Sequence, residues 1–120
     1  MADFRFYRWR LPHVRVAEGT YFVTWRLAPT QTLLTSGERT VVVGALRHFE
    51  GVRYKLHAYV VMDDHVHVIV CPQQERRLED VVRSWKSYTA NRLQRGTGRV
   101  GSVWQDEYFD RLGGRGGPPH

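Results

Sequence analysis

Asp64-His65-Val66-His67 is the segment of this chain best equipped for chemistry. Side chains alternate across a β-strand, so on a strand His65 and His67 point to one face while Val66 and Val68 point to the other. Two imidazoles about 7 Å apart on one sheet face can converge on a single metal ion or phosphate. Alternation alone also generates H-V-H-V on a solvated strand face, so the pair needs a context. Asp64 has two readings: a residue of the acidic turn Asp63-Asp64, or a carboxylate that orients a ligand histidine from behind.

The elements that must position this pair are legible from patterning. Residues 20–27 (TYFVTWRL) are β-branched and aromatic and predict a strand. Thr35 and Glu38 have capping-box spacing at the start of a helix carrying Val41, Val42, Ala45, Leu46 and Phe49, which Gly51 stops. Residues 53–62 (RYKLHAYVVM) and 65–71 (HVHVIVC) predict two strands joined by the acidic turn as a hairpin, with Pro72 ending the second. A second helix covers about 77–94, with Leu78, Val81, Val82, Trp85, Thr89 and Leu93 on one face, and Gly96 and Gly98 break it. Residues 102–111 (SVWQDEYFDR) predict a last strand. The order β-α-β-β-α-β is the α+β, ferredoxin-like split βαβ: an antiparallel sheet with two helices on one face and the other face open to a partner.

The bulk numbers agree. The chain has 120 residues, one domain's worth, with 42% hydrophobic and 25% charged residues, a soluble globular balance. No stretch approaches the roughly 18–20 consecutive apolar residues of a membrane span, and the N-terminus lacks the apolar core of a secretory signal. Cys71 is the only cysteine, which excludes an internal disulfide framework and fits a reducing, cytoplasmic compartment. The net charge is +6 with a pI near 10.0. Lys55 and Lys86 are the only lysines, so sixteen of the eighteen basic residues are arginine. Arginine grips phosphate bidentately and stacks on flat rings, and with four Trp, six Tyr and five Phe the balance favours a nucleic-acid partner. A GC-rich coding sequence explains the Arg/Lys ratio equally well, but not the net charge.

The basic residues form two groups. In an N-terminal arm, residues 1–18, Arg5, Arg8, Arg10 and Arg15 interleave with Phe4, Phe6, Tyr7 and Trp9, a pattern that can track phosphates and stack bases. Arg76, Arg83 and Lys86 lie on or beside the exposed face of the second helix, as phosphate contacts or as an ordinary solvated surface.

Four ordered segments resemble the single-tyrosine HUH transposases, specifically the REP-associated tyrosine transposase branch, over about residues 9–111. They are Leu11-Pro12-His13 with residues 19–27; residues 58–67, which look like the HUH hairpin with Val66 as its hydrophobic middle; Trp85-Lys86-Ser87-Tyr88-Thr89-Ala90, which looks like a W-K-x-x-T/S-A helix; and residues 103–111, which look like the last strand. The resemblance implies a bacterial, nucleoid-associated, dimeric protein that nicks and joins single-stranded or hairpin DNA. It implies that His65 and His67 hold a divalent ion, Mg²⁺ or Mn²⁺, which polarises the scissile phosphate. A tyrosine hydroxyl then attacks phosphorus and becomes a 5′-phosphotyrosine. Imidazoles are a soft set for Mg²⁺, so the site calls for a third protein ligand and for phosphate and water oxygens.

In that family the nucleophile sits on a further helix after the last strand. Here the sequence continues as Leu112-Gly113-Gly114-Arg115-Gly116-Gly117-Pro118-Pro119-His120, which cannot form one. Either the reading frame is degenerate after Arg111, leaving a catalytic remnant, or the chain is cut short of its last helix. Tyr88 and Tyr108 are the candidate substitutes: Tyr88 lies on the helix that packs away from His65, and strand parity allows Tyr108 either face. Three functions therefore stand: a metal-dependent single-strand endonuclease and strand transferase of this type, incomplete as it stands; a non-catalytic DNA-hairpin or single-strand binding module derived from one; and a generic ferredoxin-like RNA binder, weakened because no K/R-G-F-G-F-V-x-F string is present.

Overall fold

The computed structural model describes residues 19–112, together with the backbone of residues 3–6. In chain order the elements are β1 (Asp3–Phe6), β2 (Tyr21–Leu27), α1 (Ser36–His48), β3 (Tyr54–Val61), β4 (His65–Pro72), α2 (Leu78–Thr97) and β5 (Trp104–Leu112). One sheet runs β1-β3-β4-β2-β5, and each neighbouring pair is antiparallel. The four strands β2 to β5 with α1 and α2 make the expected ferredoxin-like βαββαβ. The predicted N-terminal arm is corrected in part: Asp3–Phe6 is a strand that extends the sheet along β3, Phe4 opposite Val60 and Phe6 opposite Ala58. Alternating D-F-R-F suits an edge strand, but seen alone it also suits a basic aromatic tail.

Helix boundaries follow their caps. Thr35 Oγ1 accepts from Glu38 N while Glu38 Oε1 accepts from Thr35 N, closing the capping box. α1 ends at His48, before Gly51, whose φ of 84° serves the turn into β3. α2 runs three residues beyond the expected 94 and includes Gly96; the stop is Gly98, left-handed at φ 74°.

The core lies between the sheet and the two helices. Val66, Val68 and Val70 of β4 pack with Val23 and Trp25 of β2, Leu56 and Tyr59 of β3, Val42 and Leu46 of α1, and Val81, Val82, Trp85 and Leu93 of α2. Trp25 is the hub: it stacks on Trp85 at 5.7 Å between centroids and meets Trp104 edge-on at 6.1 Å. Such pairs contribute about 0.5–1.5 kcal/mol each beyond burial. The indole N–H groups of Trp85 and Trp104 dock the helix. Trp104 Nε1 donates to Thr89 Oγ1 (2.8 Å), whose hydroxyl donates to Trp85 O (2.7 Å). Trp85 Nε1 donates to the Tyr54 hydroxyl (3.0 Å), which donates to Leu46 O on α1. Trp85, Thr89 and Trp104, three of the motif residues, thus tie α2, β3, α1 and β5 together.

Candidate metal and nucleic-acid site on the open sheet face

The β4 pattern leaves His65 and His67 on the face away from the helices. Val66, Val68 and Val70 are at most 1% exposed, while His65 is half-buried and His67 exposed. The two rings are nearer than the strand repeat alone gives: their centroids are 4.6 Å apart, edge to face at 87°. Each Nδ1 has an oxygen partner. Asp64 Oδ1 lies 2.6 Å from His65 Nδ1, and Thr24 Oγ1 lies 2.8 Å from His67 Nδ1. A carboxylate only accepts, so His65 presents an Nδ1–H to Asp64, and in its neutral form the Nε2 lone pair is the one left for a ligand. The threonine hydroxyl donates or accepts and fits either tautomer of His67. Burial, then the neighbouring His65 and Arg26, pushes His67 below its ordinary pKa, which favours the neutral, ligating ring at neutral pH.

The pair fits a divalent ion as two imidazole ligands with oriented rings. Among the described residues no group of three or more His, Cys, Asp or Glu side chains could hold a metal, so the expected third protein ligand is not found there.

Cross-strand register adds residues that the sequence reading passed over. Thr24 is opposite His67, and Arg26 is opposite His65. The alternation of 20–27 places Phe22, Thr24 and Arg26 on one face; only the register of β2 against β4 shows that this is the histidines' face. Next to His67 is a shallow pit of 220 Å³ lined by Phe22, Ala58, Val60 and Ile69 among others. Across β2, Arg111 lies over the Phe22 ring at 5.4 Å, and Phe109, opposite Thr24, is 59% exposed. The open face therefore combines two imidazoles, two guanidinium groups and two aromatic rings.

The other expected site residues are elsewhere. Tyr108 pairs with the buried Trp25 and packs against the core, so it is on the helix side and is not brought to the histidines. Burial first, then Asp110 and Glu79, raises its phenol above the ordinary value, opposite to what a nucleophile requires. Tyr21 pairs with Val70 and Tyr59 with Val68, both in the core; the Tyr54 hydroxyl bonds α1, and Tyr88 is on α2. Among the described residues, no tyrosine is on the open face.

Arg76, Arg83 and Lys86 are all on the helix side. Arg83 pairs loosely with Asp80 (3.4 Å). Lys86, expected on or beside the exposed face of the second helix, is half-buried there. Its Nζ donates to the carbonyls of Gln105 (2.6 Å), Asp106 (3.0 Å) and Glu107 (3.4 Å), where β5 bulges away from β2. Burial lowers its pKa, with Asp106 and Glu107 acting the other way. Arg8, Arg10 and Arg15, expected at DNA, lie outside the described residues. No helix among the described residues is long and apolar enough to cross a membrane.

Residues 23–114 match the family model described as "Transposase IS200 like". The structure is similar to that of a REP-associated tyrosine transposase bound to a REP hairpin (TM-score 0.62, 19% identity, covering 88% of this chain and 61% of that one). It is also similar to a crystal structure from Deinococcus radiodurans R1 provisionally described as a transposase (TM-score 0.66, 18% identity, 89% and 88% covered). At such identities the likeness concerns the fold, and the chain spans about three fifths of the hairpin-bound structure. No curated protein matches the chain.

Proposed function

Because the chain belongs to the IS200-like transposase family, we propose that it processes single-stranded or hairpin DNA on its open sheet face, with His65 and His67 holding a divalent cation against a phosphodiester. The observation that carries this reading is the pair itself: rings 4.6 Å apart, with Asp64 and Thr24 engaging the Nδ1 atoms. A bound Mg²⁺ or Mn²⁺ would supply Lewis acidity to the phosphate. The rest falls to this chain's residues. Asp64 holds the His65 tautomer, and Thr24 fixes the His67 ring. Arg26, opposite His65, offers a guanidinium to a phosphate oxygen, and Phe22 and Phe109 offer rings to unstacked bases. A DNA partner is further supported by the REP hairpin carried by one structural relative. The reading includes assembly as a homodimer, checked by light scattering.

A phosphotyrosine step needs a tyrosine hydroxyl on this face, and among the described residues no tyrosine supplies one. That observation favours a second reading, a DNA-holding module that binds hairpins without cutting them. Incubation with labelled hairpin DNA and Mg²⁺ separates the two on a denaturing gel. A protein–DNA adduct supports strand transfer; binding without an adduct supports the module. Failure of Mn²⁺ and hairpin DNA to bind at all overturns both.

A further inference from the structure

On the helix side, the C-terminal end of α1 and the first turns of α2 bound a cleft of 760 Å³. Its floor is apolar: Ala45, Tyr54, Val81 and Trp85 line it and are buried. Arg53, Arg76 and Tyr88 also line it. The Arg53 guanidinium is held 3.4 Å from the Phe49 ring centroid. Tyr88 is 49% exposed, yet its hydroxyl accepts from Arg92 Nη1 at 2.7 Å, which steadies the ring. One wall is formed by Gln74 and Glu75, consecutive non-glycine residues with φ of 57° and 60°, a strained conformation that only its surroundings can maintain. Two acids line the cleft as well, Glu75 and Asp80. Asp80 faces Arg83, and Arg77 is taken up by Glu79 at 2.9 Å. Among the described residues, Arg53 and Arg76 are then the lining arginines without an ion pair.

We propose that this cleft is a second DNA contact that takes one unstacked nucleotide, its base on the exposed Tyr88 ring above the apolar floor, its phosphate on Arg53 and Arg76. The proposal rests on the DNA reading above and extends it to the opposite side of the sheet. Aromatic stacking and cationic phosphate contact are the two chemistries of single-strand binding, and the cleft brings both together. A bare anion would leave the steadied Tyr88 ring unused, and an apolar peptide would leave the two arginines unused. The cleft lacks the histidine pair, so its role is to hold a strand.

The test is fluorescence anisotropy with a labelled oligothymidylate, in parallel with the same strand made abasic. Tyr88→Ala should weaken binding about tenfold, the loss of one stacked base, and Tyr88→Phe should restore it. On the abasic strand, parent and Tyr88→Ala should bind alike. The double variant Arg53→Gln/Arg76→Gln should weaken binding and flatten its salt dependence by roughly one to two slope units. Thermal melting of each variant establishes that it is folded. If the parent binds DNA and Tyr88→Ala binds equally well, the nucleotide site is overturned while the DNA reading stands, even where the arginine variant loses affinity. If the parent binds no DNA, the DNA reading fails and this proposal fails with it.

Discussion

The Glu38 carboxylate takes a two-point contact from the Arg99 guanidinium, Nε to Oε2 and Nη2 to Oε1, both at 2.7 Å. The side chains are only 3% and 7% exposed. Thr97 and the Thr35 amide donate to the same carboxylate, and Arg99 also donates to Gln31 Oε1 and to the carbonyls of Thr32 and Leu33. One ion pair therefore fastens the β2–α1 loop and the α1 N-terminus to the α2–β5 loop. The Arg99 bond is the largest cause that lowers Glu38 from its ordinary 4.5 to about 2, burial acting against it.

Removing one partner of this pair is expected to be costly. Glu38→Gln leaves a buried guanidinium uncompensated and should destabilise the fold by about 3–5 kcal/mol in urea or thermal unfolding. In the parent, the depressed folded-state pKa gives stability that is complete above pH 4.5 and lost as pH falls toward about 2; the shift corresponds to roughly 3 kcal/mol. A melting profile that is flat across that window would contradict this account.

At the histidine pair, the double variant His65→Ala/His67→Ala should abolish Mn²⁺ binding in calorimetric titration. Thr24→Val removes the oxygen 2.8 Å from His67 Nδ1 and should weaken the metal by about tenfold or more. Undiminished Mn²⁺ affinity in the double variant would remove the metal site altogether.

Lys86 is expected to act on stability and leave DNA binding alone. Lys86→Met strips a donor from three carbonyls at the β5 bulge, at a cost of about 1–3 kcal/mol. The salt dependence of hairpin binding should stay at the parent value. A slope that drops by roughly one unit would instead make Lys86 a phosphate contact.

Tyr108→Phe should leave both DNA affinity and any covalent DNA adduct unchanged, because the ring packs on the helix side against the core. An adduct formed by the parent and absent from this variant would require Tyr108 to reach the open face.

Much of this was readable from local pattern. H-V-H-V alternation divides β4 into a core face and a histidine face because the strand period is two, and the capping box at Thr35 and Glu38 is a local hydrogen-bond exchange. The helix–strand order and the hairpin at Asp63-Asp64 likewise follow from nearest neighbours in sequence. One boundary slipped: α2 continues through Gly96 until Gly98 turns left-handed, and Thr97 at its end donates to the distant Glu38 carboxylate.

Tertiary structure decided what depends on residues far apart in the chain. The registers of β2 against β4 and β5 put Thr24 and Arg26 beside the histidines and turned Tyr108 away from them, because a one-residue shift in pairing exchanges the two faces of a strand. Lys86 looks like a free surface cation until the β5 bulge offers it three carbonyls. The Glu38–Arg99 pair spans 61 residues and has no local signature. The sequence by itself determined which residues have the chemistry to hold a metal and grip DNA. The fold decided which of them share a surface, since sidedness on a sheet is set by pairing partners that no local pattern names.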